Sequence, residues 1–298
     1  MPDARPFVSL ATDFGAAYTA ICAGVVSTIA PDANVLVLSD EIAPYAVAEG
    51  AMLLRQALPY LPIGVHVGIV DPGVGTSRRP VAVETGRGDV LVGPDNGLLV
   101  PAAGELGGAV RARCLEDPAY RLPSVSTTFH GRDVFSPAAA HLALGVDMAR
   151  LGPAVAPADL LPLDVPAPVV RDGALTAAVL YADRFGSLIL HADEDDLVGA
   201  LGPLAYGTPL ELSGVADSGT DGGATVGSGT GSGANVGVTF EETFGSVDAG
   251  EPLMWIDSSG QLGLAVNQGS AAERFGLGSG STVTVRTAGT GRRGVLAD

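Results

Sequence analysis

The sequence contains no lysine, so its 16 basic residues are all arginines, against 33 aspartates and glutamates. The formal charge of -17 argues against nucleic-acid or anionic-membrane partners, because those need clustered basic side chains. An acidic, lysine-free surface suits a salty cytoplasm, where salt screens the repulsion between carboxylates. We therefore expect a halophilic, cytoplasmic protein; a GC-rich genome, which replaces lysine by arginine, is the other explanation of this composition.

Cysteines and long apolar runs are also scarce. Cys22 and Cys114 are the only two cysteines and form no Cys-x-x-Cys pair, so neither a disulfide framework nor a metal site is expected. No window approaches about 20 uninterrupted apolar residues, which argues against a membrane span. The first apolar run, residues 7–10, leads into polar Thr12 and Asp13 and is unlike a signal peptide.

The chain has two regions that differ in their pattern of predicted strands and helices. Its 298 residues, 47% of them hydrophobic, are enough for two domains. Strand-like runs alternate with helical stretches over residues 1–165, which predicts an α/β domain with a mostly parallel sheet and flanking helices. The proline-rich segment 161–168 marks the boundary. Over residues 170–298, short strand-like runs and glycine-rich turns predict a small antiparallel barrel or sandwich.

Individual elements follow from the same patterns. The predicted strands of the first domain are 7–10, 35–38, 65–70, 81–84 and 90–92, and its predicted helices are 18–30, 47–58 and 138–144. The predicted strands of the second domain are 175–182, 188–190, 208–212, 236–240, 252–256, 262–266 and 282–286. A tract of Gly, Ser, Thr, Ala and Asp at 213–237 predicts a flexible insertion between two of these strands.

The stretch from His66 to Pro80 places a carboxylate at the end of an apolar strand. The β-branched run 65–70 ends at Asp71, and a proline and two glycines then form a turn before Arg78 and a second arginine. Ligands of open α/β sheets bind beyond the carboxyl ends of the strands, so an Asp followed by glycines and a cation is well placed for chemistry. The alternative is an Asp that only caps a turn, since Asp-Pro-Gly is common in plain turns.

Other polar side chains occupy comparable places. Asp13 follows the first strand, and Asp95 with Asn96 follows the strand at 90–92. His130 lies among hydroxyl and charged residues before a predicted helix, with a glycine directly after it. It is therefore a candidate general base or orienting group, and a purely structural histidine is the alternative. In the second domain, polar clusters at 183–187 and 267–272 follow strands and are also compatible with ordinary turns.

Taken in order, six segments resemble a known family, the S-adenosylmethionine (SAM) hydroxide adenosyltransferases or SAM hydrolases, relatives of the SAM-dependent fluorinase and chlorinase. The segments are Thr-Asp-Phe-Gly at 12–15, Val-Asp-Pro-Gly-Val-Gly-Thr-Ser-Arg-Arg-Pro at 70–80, Gly-Pro-Asp-Asn-Gly at 93–97, Ser-Thr-Thr-Phe-His-Gly-Arg-Asp at 126–133, Asp-Arg-Phe-Gly at 183–186 and Asn-Gln-Gly-Ser-Ala-Ala at 267–272. The resemblance implies an α/β N-terminal domain and a C-terminal β-barrel. It also implies a homotrimer whose sites lie between one subunit's N-terminal domain and its neighbour's C-terminal domain.

The resemblance also implies roles for particular residues. Asp71, Arg78 and His130 would bind and activate a water, and SAM would be the substrate, with no cofactor. The implied substrate-binding residues are Asp13 at the ribose hydroxyls, Asp183 at the methionine ammonium, Ser258 and Ser259 at its carboxylate, Asn267 and Gln268 at the adenine edge, and Asp95, Asn96, Gly131, Phe185 and Ser187. Ser187 departs from the family's usual Asn, which helps to hold adenine, and His191 stands in a second altered position, so adenine affinity is the property in doubt.

The chemistry suits these residues. A sulfonium is a good neutral leaving group once C5′ is attacked, so the protein must chiefly desolvate and aim a nucleophile. Asp71 and His130 are expected to hydrogen-bond one water and draw its proton, while Arg78 holds Asp71 as the anion. One alternative is a chloride-using halogenase, disfavoured because the carboxylate of Asp71 beside the nucleophile would repel a halide but suits a water. Another is a non-catalytic SAM- or nucleoside-binding protein. A generic phosphate-ester hydrolase is weakened by the absence of a P-loop or a Gly-x-Ser-x-Gly turn.

Overall fold

The computed structural model describes residues 6–215 and 235–288, and the chain divides into two compact units, Met1–Asp164 and Val165–Asp298. Residues 216–234, most of the predicted flexible insertion, lie outside the described part, so that prediction stays a prediction. Within the described ranges, no helix is long and apolar enough to cross a bilayer.

The first unit alternates strands and helices. Its elements are β1 Phe7–Thr12, α1 Gly15–Ile29, β2 Asn34–Ser39, α2 Val47–Ala57, β3 Val65–Ile69, β4 Pro80–Thr85, β5 Val90–Pro94, α3 Val100–Glu105, β6 Ala109–Cys114, α4 Ser136–Ala143 and β7 Ala154–Val155. A π-helical turn, Gly131–Phe135, leads directly into α4, and short 3₁₀ turns lie at Leu58–Tyr60, Pro118–Tyr120, Met148–Arg150 and Pro157–Asp159.

These strands form one seven-stranded sheet in the order β2-β1-β3-β5-β4-β6-β7. The strands β2, β1, β3 and β5 are parallel, and β4, β6 and β7 continue the sheet in antiparallel fashion. The predicted α/β class with a mostly parallel sheet is confirmed. The antiparallel continuation arises because a short turn joins β4 to β5, and a short turn cannot make a parallel crossover.

Helices cover both faces of the parallel part. Val8 and Leu10 of β1 share one buried cluster with Cys22 of α1 and with α4. On the opposite face, Leu54 of α2 lies directly against Gly68 of β3. Because both faces are covered, β1 and β3 are buried along their whole length, as the central strands of parallel sheets are.

The second unit is a barrel. Its elements are β8 Val169–Arg171, β9 Ala174–Ala182, β10 Leu188–Asp193, α5 Glu194–Leu201, β11 Thr208–Ser213, β12 Val236–Phe240, β13 Pro252–Ile256, β14 Gln261–Val266, α6 Ala271–Phe275 and β15 Thr282–Thr287, with a 3₁₀ turn at Phe244–Ser246. The sheet runs β10-β14-β13-β12-β11-β15-β9-β8, and an additional pairing of β10 with β9 closes seven of these strands into a barrel. Every described pairing is antiparallel except that of β12 with β13, which is parallel.

Alternating apolar residues fill the barrel. Leu210 and Leu212 of β11 are fully buried, whereas Glu211 between them is partly exposed. This period of two is what the sequence shows, and the predicted barrel is confirmed. The sequence predicted neither α5 nor α6, which begin at the capping residues Asp193 and Ser270.

Candidate active site

Asp71 lies two residues beyond the end of β3, in a turn that contacts a second loop. The backbone N–H of Val74 donates to the Asp71 carbonyl at 3.2 Å, which begins the turn. Gly75 has φ +76°, and a Cβ there would sit 2.3 Å from the carbonyl oxygen of Thr127. Only glycine allows this close approach, which holds the Asp71 turn against the segment that leads to His130.

This contact brings three predicted residues together. Arg78 Nε donates to Asp71 Oδ1 at 3.0 Å, and Arg78 Nη2 donates to Asp71 Oδ2 in a second, shorter contact. Arg78 Nη2 also donates to His130 Nδ1 at 3.2 Å. The Asp71 and Arg78 side chains are only 6% and 7% exposed. The result is a buried bidentate ion pair with an imidazole beside it, a strong kind of charge-assisted contact.

The hydrogen bond from Arg78 determines the tautomer of His130. A guanidinium can only donate, so Nδ1 must accept, and the neutral ring therefore carries its proton on Nε2. Burial, together with the positive charge of Arg78, lowers the pKa of His130, while the charge of Asp71 opposes that change. His130 is thus a neutral imidazole that presents an N–H at Nε2.

The remaining guanidinium nitrogen of Arg78 is Nη1. This atom is buried without a hydrogen-bond partner in the described part of the chain. The guanidinium lies 5.3 Å from the ring centroid of Phe135. A buried donor without an acceptor is costly, so Nη1 marks a place where an oxygen of a water or ligand would be stabilised.

Gly131 follows His130 and begins the π-helical turn. A Cβ at this position would come within 3.3 Å of Cys22 Sγ, Ile69 Cδ1 and Phe14 Cζ. The glycine therefore lets the turn pack closely on the sheet. Such π-type turns are frequent at functional sites, because the extra residue re-aims the neighbouring side chains.

Asp13 lies at the end of β1, next to an aromatic cluster. Its Oδ2 accepts from the backbone N–H of Tyr45 at 2.9 Å, and Oδ1 has no partner among residues 6–215 and 235–288. Phe129 makes edge contacts with Phe14 and Tyr18 at centroid distances of 5.8 and 5.4 Å. These three rings, with Ser126, Thr128 and Arg132, line a cavity of about 400 Å³ in the first unit.

The side chains of Asp95 and Asn96 form hydrogen bonds with other residues of the first unit. Asp95 is 4% exposed, and its carboxylate accepts from Arg79 Nε at 2.8 Å and from the backbone N–H of Leu161 at 2.9 Å. The amide of Asn96 donates to the Val70 carbonyl at 2.9 Å, and its oxygen accepts from the Leu98 N–H at 3.2 Å. Their polar groups therefore serve the fold around the Asp71 turn.

The second unit has its own cavity, of about 500 Å³. It is lined by Phe185, Ser187, Phe244, Val266, Gln268 and Gly269. Phe185 is 79% exposed, so its ring can cover a ligand. Asp183 Oδ1 accepts from the backbone N–H groups of Phe185 and Ser187, at 2.9 and 2.8 Å, which fixes the turn beside the cavity.

The remaining predicted residues occupy turns of the barrel. Ser258 is exposed, while Ser259 donates from both its backbone N–H and its hydroxyl to Asp257 Oδ1. Asn267 donates from its amide to the Val247 carbonyl at 2.8 Å. Sequence reasoning missed Phe244 as a cavity residue, because no signal separates it from other aromatic residues. In the described ranges, no group of three or more His, Cys, Asp or Glu side chains is arranged to hold a metal.

An α/β unit with a buried Asp-Arg ion pair beside a histidine, followed by a β-barrel unit with an aromatic-lined cavity, is typical of a protein that binds and processes a small molecule. The family model of the SAM hydroxide adenosyltransferase N-terminal domain matches residues 8–152, and that of the C-terminal domain matches residues 177–284. The chain therefore belongs to the SAM hydroxide adenosyltransferase family.

Individual relatives agree with this assignment. The chain is 41% identical over 288 residues to a Salinispora tropica protein named (R)-S-adenosyl-L-methionine hydrolase, covering 95% of this chain and 98% of that protein. A solved structure of an uncharacterized conserved protein from Thermotoga maritima matches with a TM-score of 0.77 at 28% identity, over 94% of this chain and 99% of that one. A more distant relative, named fluorinase, from Actinopolyspora mzabensis is 25% identical over 94% of this chain and 97% of that protein.

Proposed function

We propose that this protein hydrolyses S-adenosyl-L-methionine to adenosine and L-methionine. The observation that carries the proposal is the buried ion pair of Asp71 and Arg78 with the partly buried His130 beside it, an arrangement that offers an acceptor and a donor to a single water. The 41% identity to a protein named (R)-S-adenosyl-L-methionine hydrolase supports the choice of substrate.

In the proposed reaction, an oxygen lone pair of water attacks C5′ in line with the departing sulfur. The C5′–O bond forms as the C5′–S bond breaks, methionine leaves as a neutral thioether, and the water proton passes to Asp71. His130 Nε2–H donates to one lone pair of the water oxygen and orients it, which leaves the other lone pair to attack C5′. This assigns His130 the orienting role, because Arg78 occupies the lone pair that a base would use. A sulfonium leaves without further activation, so the reaction needs neither a metal nor a cofactor.

We further propose how the substrate is held. The free Oδ1 of Asp13 accepts from the ribose hydroxyls, and the rings of Phe14 and Phe129 face the sulfonium, which gains from aromatic faces. In the second unit, the cavity between Phe185 and Phe244 takes the adenine, with Gln268 at its edge. The remaining assignments are Asp183 at the ammonium, Ser258 and Ser259 at the carboxylate, Asn267 at the adenine and Ser187 in the adenine pocket.

The protein is proposed to be a homotrimer in a salty cytoplasm, with each substrate held between one chain's N-terminal unit and a neighbour's C-terminal unit. Exposed apolar side chains on the first unit support an oligomer: Leu36 and Val37 on the edge strand β2, and Tyr18 and Ile21 on α1. Apolar side chains this exposed on neighbouring elements are typical of interaction surfaces.

The deciding experiment is product chromatography with mass spectrometry after incubation with SAM, its two sulfonium epimers assayed separately, in water enriched in oxygen-18 and molar chloride. Adenosine labelled at its 5′ oxygen is the expected product. 5′-Chloroadenosine would instead make the protein a halogenase. Unchanged SAM, with binding shown by calorimetry, would leave a binding protein.

Subunit mixing tests the proposed trimer. Asp71→Asn removes the proposed proton acceptor in the first unit, and Phe185→Ala opens the cavity in the second. If sites are shared between chains, refolding the two variants together restores part of the activity, because some sites then receive two intact halves. No recovery from a mixed oligomer, with light scattering showing a trimer, would place each site within one chain.

A further inference from the structure

Asp71 lies on a stretch of backbone beyond the last paired residues of β3. The pairing of β3 with β5 ends at Val67, and its pairing with β1 ends at Ile69. The Val70 carbonyl is instead held by the side-chain amide of Asn96, at 2.9 Å. Asn96 thus continues the strand pairing with a side chain, at the point where the backbone pairing stops.

This contact controls the direction of Asp71. The Val70 carbonyl and the Asp71 N–H belong to one planar peptide unit, so holding the carbonyl fixes the plane from which the Asp71 side chain departs. Val70 is fully buried and leaves little room for an alternative. Asn96 is itself fixed, because its oxygen accepts from the Leu98 N–H.

The neighbouring residue acts on the other partner of the ion pair. Asp95 accepts from Arg79 Nε, and its own N–H donates to the Arg79 carbonyl at 2.9 Å. Arg79 Nη2 also donates to the Asp159 carbonyl at 2.5 Å. Arg79 is thereby held at both its backbone and its side chain. This fixes the backbone position of Arg78, which directly precedes it.

We propose that Asp95 and Asn96 are positioning residues that together set the placement of Asp71 relative to Arg78, rather than contacts to the substrate. One turn holds the two chain segments that supply the ion pair, Asn96 on the Asp71 side and Asp95 on the Arg78 side. The importance of this placement for turnover rests on the proposed hydrolysis. The effect of Asp95 and Asn96 on the geometry of Asp71, Arg78 and His130 is independent of that reaction.

The main test is Asn96→Asp, a nearly isosteric change that puts a carboxylate oxygen against the Val70 carbonyl. The expected result is a loss of about 100-fold in kcat, the scale of a misplacement near 1 Å, with unchanged affinity for S-adenosyl-L-homocysteine, which lacks the sulfonium. The matched control is Asn34→Asp, the same change at an exposed position, which leaves kcat unchanged.

A second readout does not depend on activity. Titration of the His130 imidazole by NMR reports the charges beside it, and in Asn96→Asp the His130 pKa should move away from its wild-type value because Asp71, whose charge raises it, is displaced. If the wild type does not hydrolyse SAM, the proposed function fails and this titration still decides the positioning role. Unchanged kcat with weaker binding, or an unchanged titration, would overturn the positioning role.

A surface variant decides the matter if Asn96→Asp fails to fold. Arg79→Gln removes the ion pair between an arginine side chain that is 38% exposed and the buried Asp95, and Arg111→Gln removes a pair between an arginine side chain that is 44% exposed and the partly exposed Glu84. We expect kcat to fall and the His130 titration to shift in Arg79→Gln only. Equal behaviour of the two variants would contradict the inference.

Discussion

Arg78 and His130 are joined by a hydrogen bond of 3.2 Å in which the guanidinium Nη2 donates to the imidazole Nδ1. Because Arg78 has no acceptor to offer, this bond places the ring proton on Nε2. The same guanidinium binds both oxygens of Asp71. One arginine therefore orients the carboxylate and makes Nε2 of the imidazole a donor. In the proposed reaction Asp71 accepts the proton of the water, and His130 donates a hydrogen bond to its oxygen.

The division of roles predicts different consequences for two variants of His130. His130→Gln keeps an N–H near the position of Nε2, so kcat should fall by about 10-fold, whereas His130→Ala should lose about 100-fold. Steady-state kinetics on SAM with both proteins measures this. Equal losses of about 100-fold would restore His130 as the general base.

The carboxylate should matter more than the imidazole. Asp71→Asn preserves shape but removes the proton acceptor, so kcat should fall by about 100-fold or more with a smaller change in substrate binding. The matched control is Asp32→Asn at an exposed turn, which should leave kcat unchanged. Full turnover in Asp71→Asn would mean that the proton leaves by another route.

The pH dependence of activity should follow the lowered pKa of His130. The proposed active form contains neutral His130, and burial together with the charge of Arg78 disfavours the imidazolium. Activity should therefore persist on acidification past about pH 6.5, the ordinary value for histidine, and decline only below it. A pH profile of kcat/KM that falls already above pH 6.5 would contradict this.

A buried polar network in the first unit should govern acid stability. Ser9 Oγ contacts His66 Nδ1 at 2.8 Å, and His66 Nε2 contacts Asp89 Oδ1 at 3.0 Å, with all three residues at most 1% exposed. Burial lowers the pKa of His66, although Asp89 opposes it. The folded protein thus binds this proton less readily than the unfolded chain, so stability is complete above about pH 6.5 and decreases as the pH falls from there.

His66→Gln tests that network. The variant should lose about 1–3 kcal/mol of unfolding free energy at pH 8, because buried partners are left unpaired, and its stability should depend less on pH between 7 and 5. Urea unfolding at several pH values measures both effects. An unaltered slope in His66→Gln would show that the network does not cause the pH dependence of stability.

The contact between the Asp71 turn and the loop before His130 can be tested at Gly75. Gly75→Ala forces a Cβ against the Thr127 carbonyl, which should separate Arg78 from His130 and lower kcat by about 100-fold. Gly145→Ala is the matched control, since it has a similar φ of +85° with open space around it. Gly145→Ala should lose about 1 kcal/mol of stability from backbone strain, Gly75→Ala should lose more because of the added clash, and only Gly75→Ala should lose activity.

Most strands and several helices could be predicted from the sequence, whereas the strands β6, β7 and β8 could not. The burial of β1 and β3 follows from continuous apolar runs, and the carboxylates Asp13 and Asp71 follow from where those runs end. These features are local, so periodicity and turn residues reveal them. Short elements such as α3 were not predicted, because tertiary packing rather than a long periodic pattern stabilises them.

The contacts between polar groups that are distant in sequence depend on the tertiary packing. Asp71 and His130 are far apart in sequence, and the close approach of Gly75 to Thr127 brings their loops together. The sequence predicts Asp95 and Asn96 as substrate-binding residues, and only the structure shows their hydrogen bonds to Arg79 and to the Val70 carbonyl. A hydrogen bond depends on distances set by the packing of the whole sheet, and no local pattern encodes those distances.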